Sequence, residues 1–175
     1  EYGGPDHRAR AVETVRTLGS FAPGFDMSLR IVPGGDTVAA IADSVGQGRM
    51  LVLRRFCLLV AEAVARETGA RGIVTGEAVG QKSSQTLQNL GVTDPVTDLP
   101  VFRPLLEWDK NAITERAREV GTFHDSTIPA GCNRFAPAQA ETSGHIDRVR
   151  EVEPEDLAEC ARAAVADCEV VDLRP

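Results

Sequence analysis

The sequence predicts an α/β fold in which a mainly parallel sheet carries helices on both faces. Three observations predict it: helical and β-branched segments alternate along 175 residues, short glycine-bearing turns join them, and a polar loop directly follows one strand. Alternation with short turns is typical of parallel sheets covered by helices. Ligands of such sheets bind beyond the carboxyl ends of the strands, so the loops there are the first candidates for a site.

Apolar residues at helical spacing predict the first three helices. Residues 6–18 form the first helix and residues 36–45 the second, with Asp36 as its cap. The third and longest covers residues 49–68 and ends at Gly69. The apolar stripe of this helix, which we expect to face the core, comprises Met50, Leu53, Cys57, Val60 and Val64.

Short segments rich in β-branched residues predict the strands. They are residues 28–32, 72–75, 99–105 and 169–173. Another helix is predicted at residues 109–120, with Asp109 as its candidate cap and Gly121 at its end. A further helix is predicted at residues 154–165, and residues 122–144 are predicted to form a long loop.

The net charge of −7 is unevenly distributed along the chain. Residues 141–175 hold ten acidic and four basic residues, whereas residues 1–140 are nearly balanced, with sixteen and fifteen. We therefore expect residues 1–140 to form one domain and residues 141–175 an acidic extension that packs on it. The longest apolar run, residues 56–61, is far shorter than the roughly 18 apolar residues that a membrane span needs.

The cysteines and histidines indicate a reducing compartment and no metal site. Four cysteines without a CxxC pair, and no signal peptide, favour the cytoplasm. The three histidines lack ligand spacing. Cys57 is expected in the core, while Cys160 and Cys168 lie in the acidic segment, where carboxylates disfavour a thiolate.

The polar loop at residues 75–86 is the first candidate site. A loop that joins a strand to a helix exposes backbone N–H groups at the positive end of the helix, where phosphates can be held. Gly76 permits close approach of a ligand to the backbone. The neutral donors and acceptors of the loop are Gln81, Ser83, Ser84 and Gln85. The alternative is an ordinary polar turn in which Ser83 or Ser84 caps the next helix.

Two further features point to chemistry. Arg54 and Arg55 interrupt an apolar helix, and a buried guanidinium needs an anionic partner, which is either a ligand or an ion pair with Glu77 or Asp98. Cys132 lies in a glycine-bearing loop two residues before an arginine, a setting that can expose and activate a thiolate. An inert loop thiol is the alternative for Cys132.

Four segments, in this order and spacing, resemble the catalytic domain of the tRNA 4-thiouridine synthetase (tRNA sulfurtransferase) family. They are MLVLRRF at 50–56, TGEAVGQKSSQTL at 75–87, VFRPLLEWD at 101–109 and the Cys132 loop. The resemblance implies a PP-loop ATP pyrophosphatase domain with a Rossmann-like (adenine nucleotide alpha hydrolase-like) fold. It also implies adenylation of a tRNA uridine, sulfur transfer from a persulfide, and a link to thiamine biosynthesis.

The resemblance also assigns roles to residues. The nucleotide-contact positions of the family fall on Arg54, Gly76 and Gln85, and the sulfur-relay cysteine falls on Cys132. We add Glu77 and Gln81 of the same loop to the candidate nucleotide-binding residues. ATP with Mg²⁺ is the implied cofactor, and tRNA and a persulfide donor protein are the implied partners. A homodimer stays an option. The thiol that pairs with Cys132 would come from Cys57, Cys160, Cys168 or another protein.

One element of the family pattern is missing from this sequence. The SGGxDS phosphate loop, which in the family precedes the helix matching residues 6–18, is absent. We therefore expect residues 1–140 to be a PP-loop domain that is incomplete at its N-terminus. Two alternatives follow: a non-catalytic nucleotide-binding or assembly module derived from a PP-loop enzyme, and a PP-loop enzyme acting on a carboxylate or amide outside tRNA. Cys132 fits the second alternative poorly.

Overall fold

The structure, a computed structural model, describes residues 4–25, 27–80, 84–127, 135, 137, 139 and 141–173. Gln81 and Cys132 lie outside these residues. The chain divides into two compact units. The first contains Glu1–Val32, Asp109–Arg134 and Cys168–Pro175, and the second contains Pro33–Trp108 and Phe135–Asp167. The separation into residues 1–140 and 141–175 stays a prediction.

The described residues form α-helices, four short strands and one 3₁₀-helix. The helices are α1 (Gly4–Gly19), α2 (Gly35–Ser44), α3 (Arg49–Thr68), α4 (Leu87–Thr93), α5 (Lys110–Glu119), α6 (Phe123–Thr127), α7 (Ile146–Val152) and α8 (Leu157–Ala166). The strands are β1 (Ser28–Ile31), β2 (Ile73–Val74), β3 (Val101–Phe102) and β4 (Glu169–Asp172), and the 3₁₀-helix spans Asp94–Val96. No helix among them is long and apolar enough to cross a membrane.

The first unit contains an antiparallel strand pair and three helices. Strands β1 and β4 pair from Ser28 opposite Asp172 to Ile31 opposite Glu169. Helix α6 packs against both α1 and α5. An exposed ion pair of 2.6 Å between Arg8 and Glu169 links α1 to the start of β4. Contacts between residues that are far apart in the sequence therefore hold this unit together.

The second unit is built around α3, which packs against α2, α4, α8 and β2. Strands β2 and β3 pair in parallel, with Ile73 opposite Val101 and Val74 opposite Phe102. The α/β class is confirmed. Among the described residues, however, the parallel sheet is limited to this pair, because the fourth predicted strand pairs antiparallel with β1 in the other unit.

The predicted buried stripe of α3 is wrong. Cys57 is exposed, and the other four residues of the stripe are only half-buried. The buried residues are Leu51, Val52, Arg55, Phe56, Leu58 and Ala65. Several elements pack on α3 from different directions, so its buried surface is wider than one stripe. The buried residues lie mostly at positions next to the predicted ones.

Helix ends agree with the sequence where a glycine or an Asp cap defines them. Gly69 and Gly121, with φ of 72° and 84°, end α3 and α5 as predicted. The carboxylate of Asp109 accepts hydrogen bonds from the first backbone N–H groups of α5. The cap of α2 differs, because Gly34 precedes the helix and Asp36 lies inside its first turn. Helices α6 and α7 were not predicted.

A buried ion pair connects α3 to the end of α7. The guanidinium of Arg55 donates to both oxygens of Glu153, at 2.6 and 2.9 Å, and to the carbonyl of Val92 at 3.0 Å. The side chains of Arg55 and Glu153 are 5% and 16% exposed. Arg55 is thus the structural member of the arginine pair.

We predict that Glu153→Ala destabilises the protein by about 3–5 kcal/mol, because it leaves the charge of Arg55 buried without a carboxylate. Urea unfolding followed by circular dichroism measures the change. The matched control is Glu155→Ala, which removes an exposed carboxylate two residues away. Equal stability of the two variants would contradict the structural role of the Arg55–Glu153 pair.

Candidate functional site

The candidate site lies where the two parallel strands of the second unit end. The polar loop follows β2, and Arg103 follows β3 directly, so both begin at the same edge of the strand pair. Backbone hydrogen bonds hold the loop there, from Thr75 N to Phe102 O at 3.0 Å and from Val79 N to Leu106 O at 3.0 Å. Side chains on the loop are therefore brought against Arg103.

The carboxylate of Glu77 is shared by two arginines. Its Oε1 accepts from Nη1 of Arg54 at 2.8 Å, and its Oε2 accepts from Nε of Arg103 at 2.8 Å. The hydroxyl of Thr75 also donates to Oε2, at 3.1 Å. Both oxygens of Glu77 thus accept hydrogen bonds, from α3, from the first residue after β2 and from the segment after β3.

Arg103 holds a second carboxylate as well. Its two terminal nitrogens donate to the oxygens of Asp94 at 3.0 and 2.5 Å. The Arg103 side chain is only 8% exposed. Burial is the largest influence on the pKa of Arg103 and lowers it, but the hydrogen bonds to Asp94 and Glu77 outweigh burial, so the pKa lies above its ordinary value.

Arg54, Glu77, Arg103 and Asp94 together form what we call the ion-pair network. Its two cations and two anions alternate in space, so its formal charge is balanced. Burial lowers the pKa of Arg54 below its ordinary value, and the charge of Glu77 opposes this effect. Arginine nevertheless keeps its charge at neutral pH. The network therefore presents a fixed cation, Arg54, beside the loop.

The loop is also held by its own polar groups. Gln85 accepts through Oε1 from the backbone N–H of Ala78 at 3.2 Å and through its carbonyl from that of Gly80 at 3.1 Å. Nη2 of Arg54 donates to Oγ of Ser84 at 3.3 Å. A Cβ at Gly76 would meet no atom within 4 Å, so open space adjoins the backbone there.

The cap of α4 is Thr86, whose hydroxyl accepts from the backbone N–H of Asn89 at 3.2 Å. The alternative in which Ser84 caps this helix is therefore wrong, because Ser84 is committed to Arg54. Ser83 lies outside the described residues.

A buried asparagine ties the loop to the segment at residues 141–144. The side chain of Asn89 is fully buried, and its Nδ2 donates to the carbonyls of Ser84 and Glu141 at 3.0 and 2.8 Å. Its Oδ1 accepts from the backbone N–H of Gly144 at 2.8 Å. A Cβ at Gly144 would collide with Leu51 and lie 3.1 Å from this oxygen. The packing here therefore requires glycine.

These contacts can be compared with known proteins. Residues 2–157 match the family model described as "Thiamine biosynthesis protein (ThiI)". The chain belongs to the ThiI family. The family resemblance carried by the four sequence segments is thus confirmed.

Relatives in the ThiI family have similar chains of greater length. The chain is 57% identical over 173 residues to a "Probable tRNA sulfurtransferase" of Halobacterium salinarum, covering 99% of this chain and 44% of the relative. Identity to a "Probable tRNA sulfurtransferase" of Acetivibrio thermocellus is 33% over 170 residues, covering 95% and 43%. The chain therefore spans less than half the length of these relatives.

A solved structure shares the fold as well. It is described as "Crystal structure of a 4-thiouridine synthetase - RNA complex with bound ATP". The match has a TM-score of 0.87 and 31% identity, and it covers 98% of this chain and 46% of the solved chain. Nearly all of the present chain thus adopts the fold of part of a 4-thiouridine synthetase.

The residues predicted for the ThiI site are only partly placed by the structure. Arg54, Gly76, Glu77 and Gln85 belong to the network or the loop beside it, whereas Gln81 and Cys132 lie outside the described residues. The ion-pair alternative for Arg54 also holds, since Glu77 is its partner, while Asp98 instead lies 3.9 Å from an exposed arginine of α3.

Arg103 and Asp94 were missed as members of the site. Arg103 lies in the VFRPLLEWD segment, and its position directly after a strand was a usable signal. Asp94 carried no comparable signal, because only the tertiary fold brings the 3₁₀-helix to the end of β3.

The described cysteines differ from the prediction at one position. Cys57 is exposed instead of buried in the core. Protein atoms around its sulfur nevertheless desolvate it and raise the pKa of the thiol, while the charge of Arg54 lowers this pKa and that of Glu77 raises it. Burial and then the carboxylate of Asp156 raise the pKa of Cys160, as the acidic surroundings predicted.

Among the described residues, the metal-binding residue types do not cluster, and one cavity lies away from the network. No group of three His, Cys, Asp or Glu among them is arranged to hold a metal ion. A cavity of about 500 Å³ lies elsewhere in the second unit, between α3 and α8, and its lining residues, among them Glu62 and Arg66, are not members of the network. This cavity is therefore separate from the network.

Proposed function

We propose that this protein is a tRNA sulfurtransferase that converts a uridine of tRNA to 4-thiouridine at the expense of ATP. The observation that carries the proposal is the loop held against Arg54 by the ion-pair network. It stands at the carboxyl end of the parallel strands, where ligands of α/β folds bind. The names of the ThiI-family relatives and the ATP and RNA in the related solved structure support the same function.

The proposed reaction has two steps. The uridine oxygen attacks the α-phosphorus of ATP, pyrophosphate leaves, and the uridine is adenylated. The outer sulfur of a persulfide then attacks the activated carbon, and AMP leaves with the oxygen. A second thiol, from another cysteine of the protein or from a partner protein, attacks the inner sulfur, so the S–S bond breaks, 4-thiouridine is released and a disulfide remains. Cys132 is the proposed sulfur carrier, in keeping with its assignment from the family resemblance.

The described residues would act mainly on the nucleotide. Arg54 supplies a positive charge and further N–H donors beside the loop, which suits the charge that develops on phosphoryl oxygens. Gly76 leaves room for the nucleotide to approach the backbone, and Gln85 fixes the loop by accepting from Ala78. Gln81 would add a side-chain amide.

Mg²⁺ would enter with the phosphates of ATP. This ion usually takes only one or two protein carboxylates and keeps phosphate and water ligands. Glu77 and Asp94 are both paired with arginines and are poor candidates for such a ligand. The chemistry that the ion supplies when bound is neutralisation of the phosphate charge.

We further propose a fold, a cellular location and a sulfur donor for the enzyme. The parallel β2–β3 pair with α3 packed on β2 supports the Rossmann-like PP-loop fold. The cysteine pattern supports a cytoplasmic location. A persulfide donor protein follows from the role of Cys132, and the homodimer and the thiamine link remain predictions from the resemblance.

A non-catalytic nucleotide-binding or assembly module is the second candidate function. The observation that favours it is that Arg54 already has a carboxylate partner, as a purely structural arginine would. The following variants separate the two functions.

We predict that Arg54→Ala weakens ATP binding by the full-length protein by about tenfold or more, because a charge-assisted contact is lost. Isothermal titration calorimetry measures the dissociation constant. Arg66→Ala is the matched control, since it removes an exposed arginine of the same helix. Unchanged ATP affinity in Arg54→Ala would contradict nucleotide binding by Arg54 and favour the module.

We predict that Gly76→Ala weakens ATP binding without lowering the melting temperature. The added methyl group meets no protein atom within 4 Å, so it hinders only a ligand that approaches the backbone at this position. Gly91→Ala is the control, because this glycine also faces open space but lies on α4, away from the loop start. Equal ATP affinity in Gly76→Ala and the wild type would show that the nucleotide does not approach Gly76.

We predict that Cys132→Ser abolishes 4-thiouridine formation while ATP affinity is retained, because a hydroxyl cannot carry a persulfide. The nucleoside content of tRNA, measured by mass spectrometry in cells where the variant replaces the wild type, gives the result. Persistence of 4-thiouridine in these cells would contradict the relay role.

A further inference from the structure

We infer that Arg103 is a positioning residue of the nucleotide site: it acts through Glu77 to hold the guanidinium of Arg54 beside the loop. This inference rests on the proposed function, because the reaction it serves is the adenylation step. Arg103 is not inferred to touch the nucleotide.

The geometry of Arg103 fixes one orientation of Glu77. The guanidinium is a planar fork, and it bridges two carboxylates by donating Nε to Glu77 and both terminal nitrogens to Asp94. With its side chain 8% exposed, Arg103 has little freedom to reorient. The position of Oε2 of Glu77 is therefore set by a buried partner.

Glu77 passes this constraint on to Arg54. Its Oε1 accepts from Nη1 of Arg54, while Oε2 is occupied by Arg103 and by the hydroxyl of Thr75. The Arg54 and Glu77 side chains are each 16% exposed, so little water competes for these contacts. A carboxylate beside a triphosphate would repel it, which suits Glu77 to holding Arg54 and not to binding the nucleotide.

Removal of Arg103 would change both charge and geometry. Glu77 and Asp94 would then face Arg54 as the single remaining cation of the network, which leaves a net charge of about −1 there. Glu77, released from Nε of Arg103, would turn both oxygens toward Arg54. Arg54 would then form an ion pair with both oxygens of Glu77, and its guanidinium would no longer be available to bind an anionic ligand.

The first experiment is a double-mutant cycle on ATP binding by the full-length protein. Arg103→Met and Glu77→Gln are each expected to weaken ATP binding by about tenfold. The double variant is expected to bind ATP with about the affinity of whichever single variant binds it less tightly. The two effects do not add, because Arg103 acts on Arg54 only through Glu77. Independent effects that multiply in the double variant would overturn the inference.

Two further variants separate positioning from charge and from folding. Arg103→Lys keeps the charge but cannot bridge two carboxylates, so we expect ATP binding to stay weak; full recovery would overturn the inference. Arg66→Met removes an exposed arginine of α3 and should leave ATP affinity unchanged. A lower melting temperature with wild-type ATP affinity in Arg103→Met would show a role in folding alone and would also overturn it.

Cys57, an exposed residue whose sulfur is partly desolvated, gives a readout that needs no nucleotide. Among the charges that shift its pKa are those of Arg54, which lowers it, and Glu77, which raises it. Closure of Glu77 onto Arg54 would neutralise Arg54, raise the pKa of Cys57 further and slow its alkylation by iodoacetamide near pH 8. Peptide mass spectrometry follows this rate in the wild type, Arg103→Met, Arg103→Lys and Arg66→Met.

Slower alkylation in both Arg103→Met and Arg103→Lys, with the wild-type rate in Arg66→Met, would support the inference, because the lysine keeps the charge and loses only the bridging fork. A wild-type rate in Arg103→Lys would overturn it. This experiment also separates the positioning role of Arg103 from the proposed function. If the wild-type protein fails to bind ATP, the proposed function fails, but the alkylation rates still decide whether Arg103 positions Arg54 through Glu77.

Discussion

The sharing of one carboxylate between two arginines is the interaction on which the site depends. Oε1 of Glu77 lies 2.8 Å from Nη1 of Arg54, and Oε2 lies 2.8 Å from Nε of Arg103. All three side chains are largely shielded from water. Loss of Glu77 would leave two neighbouring cations without their common anion, an arrangement that low local dielectric makes costly. The carboxylate thus joins α3, the loop after β2 and the segment after β3.

The loop is held at its far end by uncharged groups. Asn89 binds the carbonyls of Ser84 and Glu141 and the N–H of Gly144, and it is fully buried. A charged anchor at the start and a buried amide at the end place the loop on rigid elements, as a binding site requires. Open space adjoins the backbone at Gly76, near the charged anchor.

The sequence predicted the features that depend on local chemistry. The bounds of α3, the glycines after α3 and α5, and the cap at Asp109 follow from residue types within a few positions. The pairing of Arg54 with Glu77 was one of its open alternatives. The antiparallel pairing of β1 with β4, the buried face of α3 and the partners of Arg103 depend on distant segments, so periodicity could not reveal them.

The central claim is that Glu77 and Arg103 hold Arg54 ready for a nucleotide while neither of them binds it. A crystal structure of the full-length protein with ATP and Mg²⁺ tests this claim most directly. We expect the nucleotide to contact Arg54 and the backbone at Gly76, while Glu77 keeps its hydrogen bonds to Arg54 and Arg103. A nucleotide bound away from this loop, or Mg²⁺ coordinated by Glu77, would contradict it.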